Sequence, residues 1–276
     1  MELKLFRHLW GVDLPWEAAF ARFKAEGYAG IETGLPPPEN EGRFRELLLA
    51  HGFLYVAQVF SAGPTVDEQL ESLRRLVDRA MALGPLTINA HTGRDHWPLA
   101  DAVRFYTEAA RIERRVRARL CHETHRGRAF YSPWATAAVL SEVPDLRLCC
   151  DYSHWVVVAE RLLDEPRIYD LCASRCGHIH ARVGYEEGPQ VPDPSAPEYR
   201  RHLEAHERWW DMIWNAQEAR GDAVTTMTPE FGPPMYLHTL PHTNVPVADL
   251  WTLCNWQARR QRDRFAARHG ATPRPG

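Results

Sequence analysis

Lysine is nearly missing from this chain. Lys4 and Lys24 are the only two in 276 residues, and arginine carries the rest of the positive charge. A Schiff-base enzyme needs a lysine amine as its nucleophile. Lys4 falls near the start of a strand-like run, away from a catalytic end, so that chemistry is excluded. A basic excess is also lacking: 33 Lys and Arg face 36 Asp and Glu, a formal net charge of −3. Nothing therefore advertises nucleic acid or an anionic membrane as a partner. No run approaches the ~18 apolar residues of a membrane span. The six cysteines form no C-x-x-C pair, which reads as small buried hydrophobes in a reduced, cytoplasmic protein. The opening Met1-Glu2-Leu3-Lys4 leads straight into a strand, with no secretory leader expected. The chain has no G-x-G-x-x-G; its first turn reads Trp10-Gly11-Val12-Asp13. A dinucleotide-binding open sheet would carry that glycine turn.

What is there is regular alternation. Strand signals at 3–9, 28–33, 53–60, 86–90, 118–123, 146–151, 177–183 and 223–230 alternate with helical signals at 14–26, 41–51, 65–83, 100–115, 132–140, 157–163 and 166–173, 198–219 and 247–268. Asp13 is a candidate cap for the first helix and Thr65 for the third. Eight strand–helix units predict an α/β fold, a single (β/α)8 TIM barrel over residues 1–269. Residues 270–276 read as a disordered tail. The segment 184–197, rich in Gly and Pro, is long for a βα connection and reads as functional or mobile.

Four polar constellations stand at the ends of apolar runs: Cys121-His122-Glu123-Thr124-His125, Asp151-Tyr152-Ser153-His154, His178-Ile179-His180-Ala181-Arg182 and Pro229-Glu230-Phe231-Gly232. A barrel gathers the carboxyl ends of its strands into one site. Two Glu, one Asp and one His meeting there suit a divalent metal and an oxygen-rich substrate. His8 and Trp10 end the first strand signal, Gln58 the third and His91 the fourth, so each is a candidate substrate contact. His122 alternates away from Glu123 and reads as structural, as do Cys149, Cys150 and the Trp209-Trp210 pair.

These motifs, in this order, resemble the xylose-isomerase-like barrel superfamily, in particular its sugar isomerase and epimerase branch with hydroxypyruvate isomerases and inosose dehydratases. Gly27-Tyr28-Ala29-Gly30-Ile31-Glu32 is similar to that family's second-strand signature. Glu123-Thr124-His125-Arg126-Gly127 resembles its Glu-Asn-His-x-Gly segment, and Asp151-x-x-His154, His178-x-His180 and Pro229-Glu230 match later motifs. The resemblance implies Glu123, Asp151, His180 and Glu230 as ligands of one divalent metal, Mn2+ first, with Mg2+, Co2+ or Zn2+ as alternatives. It implies Glu123 and Glu230 as catalytic carboxylates and His154 and Arg182 as substrate contacts; His125, His91 and Glu32 join them as candidates. The implied reaction is isomerisation or epimerisation of a sugar, keto-sugar or polyol derivative through an enediolate. Dehydration of a keto-cyclitol is the alternative at the same site.

The chain also departs from its relatives. Gly127, Arg128 and Ala129 stand where tagatose-type epimerases place a second Glu. His125 stands where true xylose isomerases use Lys. The rivals from other classes are an apurinic-endonuclease-like zinc phosphodiesterase, whose third-strand His and Asp-x-His pair have no counterpart here, and a non-catalytic binding barrel. Family members often pair, so a homo-oligomer is an expectation.

Overall fold

The computed structural model describes residues 1–270. Its eight strands are β1 Glu2–His8, β2 Gly30–Gly34, β3 Leu54–Phe60, β4 Thr87–His91, β5 Arg119–Glu123, β6 Arg147–Cys150, β7 Cys176–His180 and β8 Val224–Thr228. They pair in sequence order, all parallel, and β8 closes onto β1. Among the described residues the helices are α1 Trp16–Ala25, α2 Glu41–His51, α3 Val66–Met81, α4 Leu99–Glu113, α5 Pro133–Glu142, α6 Ser153–Ala159, α7 Pro166–Arg175, α8 Arg200–Ala219 and α9 Leu250–Arg268. This is a single (β/α)8 barrel, as the alternation predicts. No helix among the described residues is long and apolar enough to cross a membrane. The expected tail over 270–276 falls, Gly270 aside, outside the described residues.

Side chains alternate across a strand, and here the two sets differ in kind. Ile31, Ala57, Ile88, Leu120, Leu148, Ile179 and Met227 are buried in the main apolar core. The alternate set (Glu32, Asn89, Glu123, His178, His180, Thr226 and Thr228) is equally buried and polar. A polar barrel interior is costly unless each group finds a partner, so this column of side chains is specified by its hydrogen bonds.

Several element ends differ from the sequence expectation, each for a local reason. Asp13 does not cap α1; Pro15 holds the N-cap position at φ −53°, ψ 145°, without a side-chain cap. The helix expected over 157–163 begins at Ser153 instead, because the Asp151 carboxylate accepts from Ser153 N. Asp151, Arg182 and Glu230 lie just past their strands rather than in them. At β6 the Thr124 hydroxyl replaces a ladder partner: Asp151 N donates to Thr124 Oγ1 at 2.8 Å, and Thr124 Oγ1 donates to Asp151 O at 2.9 Å.

The segment 184–197 is tied down, against the mobile half of its expectation. Val191 N donates to Val183 O at 2.8 Å. Gln190, buried, donates to Gly232 O at 3.2 Å and accepts from Gly232 N at 2.6 Å. This amide clamp holds the chain two residues after Glu230.

The cap of α3 does form. Thr65 Oγ1 accepts from Glu68 N and Thr65 N donates to Glu68 Oε2 at 3.0 Å. Thr65→Ala is expected to lower unfolding free energy by about 1 kcal/mol, read as a shifted urea midpoint with unchanged slope.

Candidate metal and active site

Four residues from successive strand ends converge at the carboxyl mouth of the barrel. Glu123 closes β5, Asp151 follows β6, His180 closes β7 and Glu230 follows β8. One donor atom from each lies within 4.8 Å of the others. His180 Nδ1 stands 2.9 Å from Glu230 Oε2, 3.7 Å from Glu123 Oε2 and 3.8 Å from Asp151 Oδ2. All four are buried.

What lies beneath explains the imidazole's orientation. His180 Nε2 is 2.9 Å from Glu32 Oε1, on the barrel axis below. The other Glu32 oxygen meets His178 Nε2 at 3.1 Å and accepts from Thr228 Oγ1, and His178 Nδ1 reaches Thr226 Oγ1 at 2.8 Å. A carboxylate on one ring nitrogen fixes the tautomer and leaves the other nitrogen free to ligate. His180 Nδ1 is buried without a hydrogen-bond partner, as a donor aimed at a cation would be. The residues present fit a divalent metal.

The electrostatics agree. Four carboxylates share this buried volume with the single guanidinium of Arg182, which meets Asp151 Oδ2 and lies 3.2 Å from Glu230 Oε2. Burial alone would raise the Glu123 carboxyl, but His91 and His180 outweigh it and hold Glu123 well below the usual range. Burial would depress His180, yet Cys149, Glu230, Glu32 and Glu123 raise it well above its ordinary value. The same field that draws a proton to Nδ1 favours a divalent ion in its place, since both answer surplus carboxylate charge.

Above the four residues opens a cavity of about 470 Å3, within the range of small-molecule sites. Of the expected site residues, Trp10, Gln58, His91, Glu123, His125, Arg182 and Glu230 line it. Gln58 Nε2 donates to Glu230 Oε1 at 3.0 Å, and His91 Nε2 is 2.8 Å from Glu123 Oε2. Burial pushes His125 down to about 4, so it faces the cavity as a neutral imidazole at pH 7.

Three expected substrate contacts are buried and do not line the cavity. Glu32 is buried below His180. His8 is buried beside Cys254 Sγ, 3.5 Å from its Nε2. His154 is buried under His125, ring centroids 3.8 Å apart, with its Nε2 3.0 Å from Arg182 Nη2. Strand-end position alone does not reveal this burial.

Sequence reasoning missed others. Asn89 Nδ2 donates to Glu123 Oε2 at 2.6 Å; it lies two residues before His91, on the same strand face. Phe60, Arg128 and Tyr236 line the cavity. Tyr236 arrives on the long segment after β8 and packs edge-on to Trp10, centroids 4.9 Å apart. Gly232 allows that wall: a Cβ there would lie 2.2 Å from Trp10 Cη2. An aromatic in the Pro-rich stretch after Glu230 was the available signal. A larger cavity of about 640 Å3 opens at the opposite end, among the first residues of β5, β7 and β8; it lacks the converging carboxylates, and barrel enzymes place their chemistry at the other mouth.

Fold and site together define a (β/α)8 barrel with a cation-ready carboxylate–imidazole cluster at its catalytic mouth. The family model for xylose isomerase-like TIM barrels matches residues 20–207, and the chain belongs to that family. No curated protein matches the sequence. Among solved structures, the probable 3-DHS dehydratase AsbF of Bacillus anthracis is 14% identical, with 95% of this chain and 99% of that chain covered at TM-score 0.63. The 3-keto-D-glucoside 4-epimerase YcjR of E. coli is 10% identical, with 95% and 99% covered at 0.62. An AP endonuclease, family 2, from Brucella melitensis is 13% identical, with 93% and 98% covered at 0.61. At these identities the likeness speaks to fold.

Glu32→Gln is expected to keep the fold and weaken divalent-metal affinity roughly 10- to 100-fold, measured by calorimetric titration of Mn2+ into metal-free protein. Unchanged affinity would remove Glu32 from the support of His180.

Proposed function

We propose that this protein is a divalent-metal-dependent isomerase or epimerase of a sugar, keto-sugar or polyol derivative. The observation that carries the reading is the His180 imidazole, held from below by Glu32 and facing three carboxylates at a small-molecule cavity. Glu123, Asp151, His180 and Glu230 would hold one ion. Three oxygen donors and one imidazole suit Mn2+ first, with Mg2+, Co2+ and Zn2+ also accommodated. A bound ion of this kind is a Lewis acid that polarises a carbonyl and acidifies the neighbouring C–H.

The residues divide the remaining work. Glu123 Oε2 is engaged by Asn89 and His91, while Oε1 has no partner. That free oxygen is the candidate to take a proton from the carbon beside the carbonyl. Glu230, held by Gln58 and Arg182, stands across the barrel mouth as the second carboxylate. Proton return to the adjacent carbon isomerises; return to the opposite face of the same carbon epimerises. Expulsion of a β-hydroxyl from the same enediolate would dehydrate. His91, His125 and Gln58 are placed to bond substrate hydroxyls, and the Trp10, Phe60 and Tyr236 rings narrow the access of water.

The phosphodiesterase rival finds less support. Among the described residues the other metal-capable groups are His91–Glu123–His125 and Cys149–His178–His180. His178 and His180 are already engaged by Glu32, and His154 is held against Arg182.

Elemental analysis of protein purified without added metal is expected to find about one Mn, Mg or Co per chain, lost in Glu230→Gln. With a ketose panel in D2O, the wild type should incorporate solvent deuterium beside the carbonyl, and Glu123→Gln should lose at least ~100-fold of that rate. Three zinc ions per chain would favour phosphodiester cleavage. A protein that takes up no metal on reconstitution would sink the mechanism.

A further inference from the structure

Arg128 is not accounted for by the chemistry above. It follows β5 by five residues, is half-buried, and lines the cavity. Its one hydrogen bond is long, 3.4 Å from Nη1 to Ser61 O beyond β3. No carboxylate among the described residues pairs with it. Arg182, the other guanidinium on this wall, is engaged by Asp151 and Glu230. Burial and the nearby charge of Arg94 push Arg128 below its ordinary value, against a smaller opposing pull from Tyr106 and Glu123, and Arg94 likewise has no carboxylate partner among the described residues. Two like charges with no paired acid are unfavourable unless an anion joins them.

We propose that Arg128 is an anion subsite of the cavity, and that the substrate is a hydroxylated carbonyl compound carrying a carboxylate or a phosphate ester. The inference rests on the metal-dependent reading for which end of the substrate reacts. The planar guanidinium fork matches either group bidentately. Charge separation within the cavity then sets direction. Glu123 and Glu230 repel an anion from the reacting end, while Arg128, reaching toward Ser61 beside Phe60, attracts it. A substrate bound by both ends presents its carbonyl, not its anion, to the carboxylates. A neutral polyol would leave the Arg128 charge unanswered.

The test titrates D-fructose, D-fructose 6-phosphate and 5-keto-D-gluconate into metal-free and Mn2+-loaded protein, followed by ligand-observed NMR. Wild type, Arg128→Met and Arg128→Lys are compared, with melting curves to confirm that each is folded. At least one anionic probe should bind about 10-fold or more tighter than fructose to wild type. Arg128→Met should abolish that preference and Arg128→Lys retain part of it. The tighter of the two anions identifies carboxylate or phosphate as the group selected. The proposal is overturned by equal affinities for neutral and anionic probes, by a preference that survives in Arg128→Met, or by failure of both anionic probes to bind. An anion preference present in metal-free protein, without metal uptake or deuterium incorporation, would instead retain the subsite and reject the isomerase reading.

Discussion

The contact between Glu32 and His180 governs this barrel. Both groups are buried on the axis, where an isolated charge is strongly disfavoured. Each is tolerable only because the other is there, 2.9 Å away. Burial would raise the Glu32 carboxyl, but His180 and His178 hold it well below its usual range. From this pair the pattern spreads along the inner face: His178, Thr226 and Thr228 close around the lower oxygen, and Asn89 links across to Glu123. The interior is thus a hydrogen-bonded column instead of the usual packed aliphatic one. Such networks are costly when partly satisfied and specific when complete. Among the ends left open in this one are His180 Nδ1, Glu123 Oε1 and Asn89 Oδ1.

That column is rigid because the apolar work is done elsewhere. The outward strand residues pack against the helical ring, where Trp210 and Trp214 of α8 are fully buried. The two long segments after β7 and β8 are joined by the Gln190–Gly232 clamp. This fixes the backbone beside Glu230 and brings Tyr236 over the cavity, near Arg182 and Trp10. A misplacement of about 1 Å at a site costs rate, so tying the two segments together is a direct way to hold Glu230 in place.

Much of this was legible in the sequence. The eight strands were recognisable because parallel strands buried on both faces read as apolar runs, and because Gly27 and Gly52 end α1 and α2 with positive φ. The four converging residues were recognisable because chemistry in a barrel must stand at strand ends. What the sequence left open has separate physical causes. Position along a strand tells which face a residue takes, not how deep it sits. Glu32, His8 and His154 stand at or near strand ends, yet each is buried and outside the cavity lining. Their depth is decided by strand stagger and by side chains from distant elements, such as Cys254 beside His8. Asn89 was not legible because a single amide inside a strand carries no signal of its partner, Glu123. Tyr236 and Arg128 were missed because loops carry no periodicity.

The division between column and wall separates two tasks in this barrel. In the proposed reaction the donor set and its charge would let a proton leave a carbon beside a carbonyl. They would not decide where the proton returns or whether a hydroxyl departs. That would depend on which face of the substrate lies against Glu123 and which against Glu230. On that reading the substrate would be oriented by Trp10, Phe60, Arg128 and Tyr236, which line the cavity from the ends of β1 and β3 and from the segments after β5 and β8. These residues make few bonds to the column, so they can change without disturbing Glu32 and His180. Specificity on this scaffold is therefore a property of the loops, while the capacity for chemistry belongs to the strands.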